Sequence, residues 1–150
     1  MKTHHTIQAF KGSVSIIILS VLVSCGGGGG NTPTPASPQD QAKALLTSGT
    51  WKIQSEAVDG VDKTSSYTGF TITFSASGYT TTKGGGIWPA SGSWSFQGTS
   101  ATTIVRNDNT VIQIVVTDSS LVMTISWTTT TLGSGRAEAT SGNNVFTMTH

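Results

Sequence analysis

The sequence predicts an all-β protein, an antiparallel up-and-down meander of eight or nine strands closing into a barrel after a short N-terminal helical turn. Three observations carry this. From residue 50 onward apolar side chains recur at every second position, the period of a pleated strand and not of a helix. Most links between these runs are only two to five residues long, which makes consecutive strands antiparallel neighbours. The chain is rich in Gly, Ser and Thr, with few helix formers after Leu46. A β-sandwich with crossover connections has the same strand count and stays open as the alternative.

Asp40–Leu46 ("DQAKALL") is the helical turn, which Gly49 ends. "TWKIQSEAV" opens the strands with Trp51 and Ile53 on one face and Lys52 and Gln54 on the other. "GFTITFS" alternates Phe70, Ile72 and Phe74 with threonine and serine. "SASG" turns through Gly78 into "YTTT", and "GSWSFQ" alternates again through Trp94 and Phe96. "TTIVR" and "TVIQIVV" flank Asn107-Asp108-Asn109, residues that tolerate left-handed turns. "TDSS" leads into "LVMTISW", where Leu121, Met123, Ile125 and Trp127 share a face. After "TTTTLGSG" come "RAEAT" and, past Gly142-Asn143-Asn144, "VFTMT" with Phe146 and Met148. One apolar and one Ser/Thr face per strand means one side buried and one wet. Eight such strands remove their edges by closing on themselves.

The first 40 residues have a different character. Met1–Lys11 holds two lysines and no acid, and the ten residues Val14–Val23 are apolar except for Ser15 and Ser20. Ten helical residues rise roughly 15 Å, half of a bilayer's hydrocarbon, so this run is a signal peptide and not a span. Leu22-Val23-Ser24-Cys25 resembles the lipobox of Gram-negative bacterial lipoproteins. That resemblance implies cleavage after Ser24, diacylglycerol on the Cys25 thiol and further palmitate-type acylation of the new N-terminus. Two or more acyl chains hold a protein firmly to a bilayer. The resulting organisation is a signal peptide over 1–24, a lipidated cysteine with a flexible Gly/Pro-rich tether over 25–40, and a β-barrel domain over 41–150. No aspartate follows Cys25, so by the same resemblance the outer membrane is the expected location.

Gly49-Thr50-Trp51, after a helical turn and at the first strand, resembles the G-x-W signature of lipocalins. The segment from about Leu45 to His150 is similar to the lipocalin-like domains of bacterial lipoproteins. The resemblance implies that Trp51 closes one barrel end beneath an arginine, for which Arg136 is the position, a cation–π contact worth roughly 0.5–2 kcal/mol. The chain departs from secreted lipocalins in its single cysteine, which allows no internal disulfide, and in its shorter strands.

Charge and residue inventory narrow the chemistry. Net charge is +1, and without Lys2 and Lys11 six basic residues face seven acidic ones, which gives no basic stripe for nucleic acid. Beyond residue 24 the only histidine is His150, so acid/base histidine chemistry and Ser/His triads lack their central member. Zinc would have to rely on carboxylates, and "KGGGIW" lacks the phosphate-loop pattern. Glu56, Asp59 and Asp62 gather around Asp59-Gly60 and read as turn chemistry and solvation, as do Asp108 and Asp118. No enzyme activity, cofactor or metal is expected.

"GGGIWPASGSW" sets Trp88 on a glycine-rich loop, where it caps the core or folds over the barrel mouth. The functional expectation is a lipid-anchored, non-catalytic envelope protein taking a small apolar or amphipathic ligand. Trp88 would serve as lid, with Trp94, Phe96, Ile125 and Trp127 as pocket candidates. Eight-stranded barrels either fill with side chains or hold one small ligand. The alternatives are a surface interaction or structural lipoprotein with a filled core, and a carbohydrate-binding sandwich displaying Trp88 and a second tryptophan on one flat face.

Overall fold

A computed structural model describes residues 34–128 and 141–150. The chain enters through helix α1 (Pro38–Leu46), two residues longer at its start than the apolar pattern indicates. Its start is fixed by Ser37, whose hydroxyl accepts from the Asp40 amide at 3.1 Å while Asp40 accepts back from Ser37, and by Pro38 in the first turn.

Nine strands follow: β1 (Thr50–Val58), β2 (Val61–Asp62), β3 (Thr71–Phe74), β4 (Gly78–Thr82), β5 (Ser91–Phe96), β6 (Thr103–Arg106), β7 (Val111–Val116), β8 (Ser120–Trp127) and β9 (Gly142–Thr149). A short 3-10 helix, Thr64–Tyr67, separates β2 from β3. β1 and β3 to β9 pair antiparallel in chain order, and β9 returns to pair with β1 from Lys52–Thr149 to Val58–Asn144. The result is a closed barrel of eight strands, with β2 added outside the ring. Closure of one continuous sheet sets aside the sandwich alternative. β2 hairpins off β1 through Asp59-Gly60, whose φ values of 49° and 83° are those a two-residue primed turn requires. β9 begins at Gly142, so Asn143 and Asn144 are strand residues and not part of the preceding turn. The "RAEAT" strand expected at 136–140 lies outside the described residues.

The two barrel ends differ. At the floor, Leu46 of α1 packs beneath Trp51, whose Nε1 donates to the Leu46 carbonyl at 3.0 Å. The His150 ring stacks on Trp51 with 3.9 Å between centroids. The alternating interior residues, among them Ile72, Ile104, Ile112, Ile114, Leu121 and Met148, are buried in one cluster. At the opposite end β1, β4, β6 and β8 finish, and this end is the mouth.

One irregularity governs what the mouth contains. Ile53 opposes Met148 and Ser55 opposes Thr147, so Gln54 is an extra residue, a β-bulge. Strict alternation from Trp51 and Ile53 would continue inward at Ser55 and Ala57. The bulge reverses the phase, and Glu56 and Val58 point inward opposite Phe146 and Asn144.

Candidate functional site

The site is built from the mouth ends of four strands and two connecting segments. Glu56 on β1 is fully buried, correcting its reading as a solvated turn carboxylate. Its cross-strand partner Phe146 is also fully buried, and Asn144, likewise buried, occupies the next inward position on β9. Among the described residues neither Glu56 carboxylate oxygen has a hydrogen-bond partner. Burial raises the Glu56 carboxyl above its ordinary value, Asp62 raises it further, and Lys63 opposes the shift.

The 3-10 helix turns Tyr67 inward, its ring 5.0 Å from Phe146 and 5.9 Å from Phe70. It meets the glycine-rich loop there: a Cβ placed on Gly85, whose φ is +62°, would lie 3.0 Å from the Tyr67 ring. The same loop sends Ile87 and Trp88 into the interior, where Trp88 is only 3 % exposed. Its ring lies 5.8 Å from Tyr79, 6.0 Å from Phe70 and 6.1 Å from Phe146. A Cβ on Gly84 would stand 2.5 Å from the Trp88 Cβ and carbonyl oxygen, so glycine there lets the loop double back. The Trp88 Nε1 and the Tyr79 hydroxyl are buried without hydrogen-bond partners among the described residues. Burial pushes the Tyr79 hydroxyl up, with Arg106 pulling the other way.

Arg106 holds this arrangement together. Alternation on β6 puts Ile104 and Arg106 on the interior face, and the guanidinium is buried between Trp88 and Trp127, 5.2 and 5.7 Å from their ring centroids. It donates to the Ile87 carbonyl at 2.6 Å, to both Asp108 carboxylate oxygens at 3.1 and 2.5 Å, and to the Thr110 hydroxyl at 3.1 Å. The hydrogen bonds from Arg106 outweigh partial burial and lower the Asp108 carboxyl to about 2. The arginine therefore fastens the glycine-rich loop to the β6–β7 turn. Sequence reading passed over it as the last letter of "TTIVR". The signal was its parity with Ile104 together with an acidic residue two positions on.

The pocket candidates divide between the two ends. Trp88 and Trp127 meet at the mouth through Arg106, and Ile125 lies one inward position below Trp127. Trp94 and Phe96 belong to the floor half of the barrel, 5.3 Å apart, with Trp94 also 5.7 Å from Phe74 and donating to the Ser75 and Gly78 carbonyls. Trp88 is packed inward and not displayed on a flat face, which removes the basis for a carbohydrate-binding sandwich. Trp51 lies at the floor with the His150 ring stacked on it, while Arg136 and Cys25 lie outside the described residues. Asp59 accepts from the Asn143 amide and Asp62 from the Thr64 amide, and among the described residues no three metal-ligating side chains converge. Beside the mouth, on the outer face, a groove of about 630 Å³ runs past Val111, Gln113, Thr124 and Ser126 to Trp127.

A family model for the lipocalin-like domain matches residues 47–123, just over half of the chain. This chain belongs to the lipocalin-like domain family. The matched part of the lipocalin-like barrel runs from the end of α1 to the middle of β8 and so includes Glu56, Tyr79, Trp88 and Arg106. β9, which closes the ring, lies beyond it. Comparisons with curated proteins and with solved structures returned no match.

Proposed function

We propose that this protein is a lipid-anchored, non-catalytic binding protein of the cell envelope that takes a small amphipathic ligand at the mouth of its barrel. The lipocalin-like fold supports small-ligand binding. The observation that carries the reading is a set of buried polar atoms without partners among the described residues: both oxygens of Glu56 and the Trp88 Nε1, with the hydroxyl of Tyr79 packed against Trp88. Buried polar groups are normally paired, because each unpaired one costs about 1–3 kcal/mol. Groups left unpaired inside an aromatic enclosure are what a ligand with both polar and apolar parts would satisfy. The "LVSC" motif at Leu22–Cys25, after a short apolar run, supports the lipid anchor and an outer-membrane location.

Tryptophan fluorescence of the full chain, titrated with a panel of small amphipathic compounds, tests the binding. A saturable change that Trp88→Phe largely abolishes is the expected result, and a flat response across the panel would refute it. The dense packing of the interior below the mouth favours a second reading, a filled-core interaction protein. Native mass spectrometry of the protein purified from its own host separates the two. A retained small molecule supports the carrier, and a bare polypeptide mass supports the second reading.

A further inference from the structure

Among the unpaired groups at the mouth, Glu56 differs in kind. Among the described residues Tyr79 and Trp88 each leave one neutral polar atom without a hydrogen-bond partner, whereas Glu56 leaves two carboxylate oxygens in a fully buried position. The bulge at Gln54 puts that carboxylate on the interior face beside Phe146. Its backbone is well satisfied: the amide donates to the Thr64 hydroxyl at 3.0 Å and the carbonyl accepts from Lys63 at 2.9 Å. The side chain is thus held inward by a fixed backbone.

Among the described residues no cation answers it. Arg106, the buried cation among the described residues, spends its donors on Asp108, Ile87 and Thr110. Lys63 is exposed, and Asp62 next to it carries the opposite charge. An isolated carboxylate taken out of water is far costlier than a neutral polar atom, and a cation with N–H donors is what repairs the loss. The surroundings suit a cation as well. Phe146 is the cross-strand neighbour of Glu56, and Tyr67 stands edge-on to it at 5.0 Å, so aromatic surface borders the carboxylate. Trp88, 6.1 Å from Phe146, offers an N–H donor and Tyr79, packed against Trp88, a hydroxyl, each unpaired among the described residues.

We infer that the mouth of this barrel selects small organic amines: a protonated amino group pairs with Glu56, the apolar body lies against Phe70, Phe146 and Trp88, and a distal polar group reaches Tyr79 or the Trp88 Nε1. The inference rests on the small-ligand reading above and adds the ligand's charge. The upward shift of the Glu56 carboxyl through burial agrees with a group lacking its counter-charge. Binding of an ammonium would hold it ionised, with release of a proton where it had been protonated.

The test uses two probes of the same shape, phenethylamine and phenethyl alcohol, titrated against the full chain near neutral pH, where the amine is protonated. The amine should bind tighter by on the order of 10-fold, the worth of one hydrogen bond to a charged group. Glu56→Gln, close to isosteric, should remove that preference and bring the ratio of the two affinities to about one. A second measurement avoids dependence on that variant. The sequence holds two glutamates, Glu56 and Glu138, so in Glu138→Gln the side-chain carboxyl carbon resonance of the remaining glutamate is read alone. It should move on addition of the amine and not of the alcohol. Equal affinity for both probes, or a preference that survives in Glu56→Gln, would overturn the amine selectivity and leave the small-ligand reading standing. Failure of both probes to bind would overturn the inference, and with a flat response across the amphipathic panel it would remove the ligand reading too.

Discussion

Replacing Arg106 is the most informative single change, because its contacts allow the loss to be worked out part by part. In Arg106→Ala the Ile87 carbonyl, now receiving a charged donor at 2.6 Å in a buried position, is left bare, at about 1–3 kcal/mol. The contacts with Trp88 and Trp127, at 5.2 and 5.7 Å, contribute about 0.5–1 kcal/mol each. The ion pair with Asp108 adds less than about 1 kcal/mol, since the aspartate side chain is 41 % exposed and screened by solvent. The total is about 2–6 kcal/mol, a large share of the 5–15 kcal/mol typical of a folded domain. Arg106→Lys keeps the charge but has no planar fork to reach Ile87, Asp108 and Thr110 together, so it should recover less than about 1 kcal/mol of that. Asp108→Asn should cost less than about 1 kcal/mol. Its carboxyl is lowered to about 2, so its contribution is present above the unfolded value and disappears as pH falls through about 2. Equilibrium urea unfolding, followed by tryptophan fluorescence and circular dichroism, measures all three. Should Arg106→Ala cost no more than Asp108→Asn, the half-exposed ion pair is all the arginine supplies and its role in fastening the loop is wrong.

Three further outcomes are expected. The Glu56 carboxyl is raised by burial and by Asp62, so its contribution is fully present below its unfolded value and is lost as pH rises through the folded one. Glu56→Gln should therefore melt higher than the parent near neutral pH, with an advantage that shrinks by about pH 4; equal melting at neutral pH would contradict this. Gly84→Ala must push against the Trp88 Cβ and carbonyl oxygen at 2.5 Å, which should cost about 1–3 kcal/mol and weaken the near-ultraviolet dichroism of the tryptophans. Cys25→Ser, expressed in a Gram-negative host, should move the protein from the membrane to the soluble fraction; continued membrane association of the variant would count against the acyl anchor.

The fold was legible because each strand repeats one simple instruction. Phe70, Ile72 and Phe74, or Leu121, Met123 and Ile125, alternate without interruption, and the structure buries these residues. Short links then leave a chain-order meander as the economical arrangement. The site was less legible, for two physical reasons. A bulge has no residue signature of its own, so nothing in "TWKIQSEAV" announces that its second half faces the opposite way. Glu56 therefore looked like one of several turn acids. Arg106 was hidden by the habit of treating a charge at a strand's end as the start of the surface, although Ile104 on the same face already assigned it inward. Trp88 shows the converse: its loop and glycines were plain, but only packing against Tyr79, Phe70 and Arg106 fixes which way the ring turns.

The extra residue in β1 also has a mutational consequence. Deleting Gln54 would remove the irregularity and keep the pairing, with Ile53–Met148, Ser55–Thr147 and Glu56–Phe146 as consecutive pairs, so Glu56 would stay inside the barrel. The inner lining therefore tolerates a change of length at this one position, and comparing barrels position by position without gaps would put a different residue opposite Glu56 although the two faced the same interior.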